Sequence, residues 1–117
     1  DSRLRTGVPF TIHYLRTMAE ERFQTLHPDP GKQGENIVKW KYEAVRAALL
    51  QQIPDQGEGA LFSELPDGVR KALSPKQLDE LGSVSWYVTT VKLDLEARGE
   101  IRRVSGRGPQ RLLRNGD

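Results

Sequence analysis

The stretch Gly82–Arg114, GSVSWYVTTVKLDLEARGEIRRVSGRGPQRLLR, decides how this chain is read. Serines and threonines open it, an amphipathic segment follows, and Gly99 stands where a left-handed residue closes a helix. Val84, Val88, Val91 and Leu95 recur at helical spacing, so the pattern predicts a helix over Val84–Arg98. Trp86, Leu93 and Ala97 form a second apolar stripe roughly opposite the first, as in a helix wedged between neighbours. The outward strip that remains is Ser85, Thr89, Lys92 and Glu96. Ile101–Val104 and Gln110–Leu113 read as the strands of a hairpin, with Ser105–Pro109 as its turn. Charge gathers in the same place. Residues 98–114 hold six arginines (Arg98, Arg102, Arg103, Arg107, Arg111 and Arg114) against Glu100 alone, a net of +5, whereas residues 1–97 carry −2. A nearly neutral chain with an arginine-dense end points towards a polyanion.

The remaining composition narrows the class. The 117 residues suit a single domain burying about two-thirds of its unfolded surface. Hydrophobic residues at 36% and charged residues at 29% describe a globular chain with a polar exterior. No apolar run approaches the roughly 20 residues that span a bilayer, and no signal-peptide core is visible, so no membrane partner is expected. With no cysteine, disulfides and thiolate chemistry are excluded, which fits a cytoplasmic location. A pI near 9.1 is weaker than a protein built only to coat nucleic acid needs.

Met18, the only methionine, reads as a natural start, with residues 1–17 vector-derived or an upstream extension. Leu15, Ala19, Phe23 and Leu26 share a helical face, while Val8, Phe10, Ile12 and Tyr14 alternate as in a strand; a helix over about residues 10–26 is expected. His27–Gly34 is a turn-rich connector, because its two prolines and two glycines sustain neither helix nor strand. From Glu35 the pattern turns helical through Val38, Tyr42, Val45 and Leu49, ending before Pro54. Ala60–Phe62 reads as a very short strand. Ser63 is the expected cap of a helix to about Leu73, with Leu65, Val69 and Leu73 inward. Ser74-Pro75 repeats the start signal for a short turn over Pro75–Leu81. The domain plan is an extension over 1–34, a folded domain over 35–114 and a tail over 115–117.

The order helix, short strand, helix, helix, strand, turn, strand is that of a winged helix-turn-helix. The expected fold is mainly α with a small β-hairpin wing, that is, a three-helix core, a two- or three-stranded sheet and an extra N-terminal helix. Trp86–Lys92, together with Leu95-Glu96-Ala97-Arg98-Gly99 and Ile101, resembles the winged-helix superfamily of bacterial DNA-binding domains. Leu26–Arg114, about three-quarters of the chain, more specifically resembles small bacterial winged-helix proteins with an LHP-x-P-x-K-x-G start and a GSV-x-WYVTTVKLDLEARG core.

The resemblance and the charge together imply a non-enzymatic protein that binds double-stranded DNA and regulates transcription. The third core helix would enter the major groove, placing Ser85, Thr89 and Lys92 near base edges or phosphates. Ser83 would help present backbone N–H groups to a phosphate, and Arg107 at the wing tip would reach the backbone or a minor groove. Arg102, Arg103 and Arg111 would set register on the backbone, with Lys39, Lys41 and Arg46 as a secondary patch. Three to five phosphate contacts would give a log K against log salt slope of about −3 to −4.5.

Competing uses of the same residues are solvation of an exposed hairpin, pairing with Asp94, Glu96 and Glu100, or a protein-interaction module without nucleic acid. Glu96 on the outward strip weighs against strong phosphate binding, and the absence of arginine and asparagine there weighs against strong sequence reading. Trp86 is expected in the core through its stripe with Leu93 and Ala97, and Trp40 and Tyr42 are expected to pack. Terminal helices often join such domains into dimers, and residues 10–26 are the segment to do so here. Catalysis finds no residues to carry it. Only His13, His27 and carboxylates are available to a metal, and Gly57-x-Gly59 and Gly106-x-Gly108 lack a phosphate cradle's strand-loop-helix setting. No cofactor is expected.

Overall fold

In the computed structural model, which describes residues 21–116, two antiparallel β units bracket four α-helices, an α+β arrangement. The elements in order are β1 (Arg22–Gln24), β2 (Asn36–Val38), α1 (Lys39–Gln52), β3 (Ala60–Leu61), a 3₁₀ turn (Phe62–Glu64), α2 (Leu65–Ala72), α3 (Pro75–Leu81), α4 (Val84–Ala97), β4 (Ile101–Arg103) and β5 (Arg111–Arg114).

The N-terminal part departs from expectation. The helix expected over residues 10–26 is a strand where it falls on described residues, since Arg22–Gln24 pairs with Asn36–Val38 with Phe23 opposite Ile37. The rest of that helix, with residues 1–17, Met18 and His13, lies outside the described residues. Helix α1 likewise starts at Lys39, because Asn36–Val38 is extended and hydrogen-bonded across the hairpin. The connecting loop closes through Thr25. Its N–H donates to Glu35 O at 2.8 Å, and its hydroxyl oxygen accepts the Glu35 N–H at 2.7 Å. Gly34 passes so close that a Cβ there would lie 2.1 Å from Thr25 O, so only glycine fits. The hairpin therefore crosses the boundary expected at residue 34.

The 3₁₀ turn absorbs Ser63, and α2 begins after Glu64 without a side-chain cap. The stretch Pro75–Leu81, expected as a turn, is a full helix because Ser74 and Gln77 form a reciprocal capping box. The Gln77 N–H donates to Ser74 Oγ at 3.1 Å, and the Ser74 N–H donates to Gln77 Oε1 at 2.9 Å. Gly82 then turns the chain into α4, and Gly99, at φ +76°, closes it.

The three-stranded sheet has the order β3-β5-β4, antiparallel throughout, with Ala60 opposite Leu112 and Ile101 opposite Arg114. Its Ile101 and Leu112 join the Val84, Val88, Val91 and Leu95 stripe of α4 in one core with Val45 and Leu49 of α1 and Leu65 and Val69 of α2.

Candidate nucleic-acid interface

What covers each side of helix α4 decides what the helix offers. The valine and leucine stripe faces the core. A second side carries Thr90, Asp94 and Leu93, and the N-terminal hairpin lies along it. The Leu26 N–H donates to Asp94 Oδ1 at 2.8 Å, and Thr90 and Leu93 line a small recess with Thr25, Leu26 and His27. In the loop His27 Nδ1 accepts the Asp29 N–H at 3.0 Å.

Asp94 is wholly buried and fully engaged. Besides Leu26, the Tyr42 hydroxyl donates to its Oδ2, and Arg98 Nε donates at 3.0 and 2.9 Å to its two oxygens. Burial and the donated bond to Asp94 push the Tyr42 hydroxyl up to about 12. The Asp94 carboxylate also raises the Arg98 guanidinium above its ordinary value. Phe23 stacks on Tyr42 with ring centroids 4.0 Å apart, and Arg98 stands 5.1 Å over the Phe23 ring. An open cleft of about 420 Å³ lies beside this cluster, but Arg46 and Arg98 at its walls are already paired with Glu100 and Asp94.

The third side is the strip Ser85, Thr89, Lys92 and Glu96, and its two halves differ. Ser85 and Thr89 are exposed. Lys92, expected to face a groove, is instead 3% exposed. Its ammonium pairs with Glu96 Oε1 at 2.6 Å and stands 5.0 Å from the Phe62 ring. Desolvation lowers its pKa below the ordinary lysine value, against the opposing pull of Glu96. Arg103, reaching from β4, shares Glu96 at 3.2 Å. The hairpin thus closes over the C-terminal half of the strip and leaves the N-terminal half open.

Trp86 corrects a second expectation. It is 43% exposed rather than in the core, because the N-terminal hairpin covers Thr90 and Leu93 but stops about one helical turn short of Trp86. Trp40 is half-buried and Tyr42 is in the core.

Most other expected contact residues are also held within the fold. Ser83 caps its own helix, its Oγ accepting the Trp86 N–H at 3.2 Å. Arg102 donates to Asn115 Oδ1 at 3.0 Å, Arg111 to Gly59 O at 3.3 Å and Arg114 to Ile53 O at 2.7 Å. Lys39 pairs with Glu21, Lys41 donates to Leu81 O and Arg46 pairs with Glu100, so they form no separate cationic patch. Arg107, in the exposed loop between β4 and β5, has no hydrogen-bonding or ionic partner among the described residues. Arg102 remains exposed and, among the described residues, bonds only to neutral groups.

Among the described residues, no group of three histidine or carboxylate side chains is placed to hold a metal ion, and no helix is long and apolar enough to cross a membrane.

Residues 22–112 match the sequence profile of DUF6958, a family of unknown function, and the chain belongs to that family. No curated protein and no solved structure matches it significantly.

Proposed function

We propose that this chain is a non-enzymatic winged helix-turn-helix protein that binds double-stranded DNA and serves in transcriptional regulation. The element order from α1 to β5 and the β3-β5-β4 sheet support the winged-helix part of the reading. Within it, α3, Gly82 and α4 form the helix-turn-helix pair, and the β4–β5 hairpin is the wing.

One observation carries the functional part. The open residues Ser85 and Thr89 lie on the same strip of α4 as Lys92 and Glu96, where the wing attaches through Arg103. A duplex meeting the first turns of α4 would have the β4–β5 loop, with the exposed Arg107, as its nearest source of unpaired positive charge. Lys92 drops out of the footprint, and Arg103 and Arg111 contribute less than their charges suggest.

With two or three phosphate contacts left, log K should fall with log salt at a slope of about −2 to −3 on random duplex. Arg107→Ala should reduce that slope by about 1 while leaving the melting temperature unchanged. Binding that ignores salt, or no binding at low salt, would favour the protein-partner reading, in which the same open strip docks another protein.

A further inference from the structure

The exposed arc of α4 has a chemistry of its own. It consists of Ser85, Trp86 and Thr89, with Lys92 withdrawn beneath the wing. None of these three offers the forked donors, or paired donor and acceptor, with which arginine, asparagine or glutamine grips guanine or adenine edges. What the arc does offer is an indole on the side opposite the core stripe.

That indole is held in place. Tyr87 meets it edge-on, with centroids 4.8 Å apart and planes at 79°. Tyr87 is itself flanked by the Lys41 ammonium, 5.6 Å from its ring, which also donates to Leu81 O at 3.4 Å. The Trp86 backbone N–H is fixed by the Ser83 cap. The result is a supported apolar projection beside two hydroxyl side chains, on a helix whose neighbouring wing carries Arg107, unpaired among the described residues. That charge selects a polyanion as the occupant. The one apolar feature of a major-groove base edge is the C5 methyl group of thymine.

Building on the duplex-binding reading, we propose that Trp86 is the specificity-determining residue, covering thymine methyl groups so that the domain favours A·T-rich duplex. Ser85 and Thr89 tolerate either base partner and contribute little discrimination.

The test compares a labelled poly(dA)·poly(dT) duplex with its poly(dA)·poly(dU) counterpart, by fluorescence anisotropy at low salt. The two differ at the base edge only by the methyl group. The intact protein and Trp86→Phe should bind the thymine duplex more tightly, by about fourfold for each methyl group covered. Trp86→Ala, with an unchanged melting temperature, should bind both equally. Equal affinities for the intact protein, or a preference that survives in Trp86→Ala, would overturn the assignment and leave duplex binding standing. Failure to bind either duplex, or tighter binding to unpaired strands, would overturn both.

Discussion

At the scale of single residues, Asp94 ties together three parts of the fold. One carboxylate holds the N-terminal hairpin through Leu26, α1 through Tyr42 and the end of its own helix through Arg98. A buried charge is tolerable only when its oxygens are satisfied this fully. The Tyr42 hydroxyl has a consequence for alkaline stability. Its folded-state value, about 12, stands above the ordinary value of 10.0, so its contribution is complete below pH 10 and is lost as pH rises towards 12. The stability gap between the intact protein and Tyr42→Phe should therefore be constant from pH 7 to about 10 and narrow above it. Urea unfolding across that range measures it, and a gap that stays constant to pH 12 would contradict the assignment. Asp94–Arg98 and Lys92–Glu96 are legible in the sequence as i, i+4 pairs. The burial of Asp94 and Lys92 is not, because residues that meet them, Leu26 and Tyr42 at Asp94 and Phe62 at Lys92, are distant in sequence.

At the scale of elements, the core helices and the β4–β5 hairpin follow from local pattern, whereas the first hairpin does not. Val84, Val88, Val91 and Leu95 mark α4 by periodicity alone, and Gly99 marks its end. Strands β1 and β2 are three residues each, too short for alternation to outweigh the helical spacing of Leu15, Ala19, Phe23 and Leu26. Their pairing depends on Gly34 approaching the Thr25 carbonyl, a contact that turn-rich composition announces only as a loop. Gly34→Ala should therefore cost more than an ordinary loop substitution, about 2 kcal/mol or more, because the Cβ meets backbone that cannot step aside. Chemical unfolding measures the loss, while Gly31→Ala, which makes only an ordinary contact with Asp29, should change little. The same short hairpin explains Trp86. A stripe read from the sequence treats Trp86, Leu93 and Ala97 as equivalent, but the element that covers the C-terminal end of the helix does not extend to the N-terminal end.

At the scale of the whole molecule, net charge and available charge are different quantities. The arginine-rich end predicted from composition is present, yet Arg98 pairs with Asp94, Arg103 pairs with Glu96, and Arg111 and Arg114 bond to backbone carbonyls. Arg114 joins β5 to the segment after α1, so Arg114→Ala should lower stability by about 1 kcal/mol without changing the salt slope of duplex binding. Arg107→Ala should do the reverse, weakening binding at unchanged stability. Thermal melting and salt titration of both variants decide between these outcomes. Identical behaviour would mean that the hairpin acts as a single structural unit.

Because Thr25–His27 shield the rear half of α4 on one side and the β4–β5 hairpin closes over it on another, a duplex bound as proposed would meet only the first turns of the rod. From Ser83 to Thr89 the rod extends only about 10 Å, the rise of some three stacked base pairs. A probe that short samples too few positions to single out an address in a genome, so selectivity on that scale would require two such tips acting together.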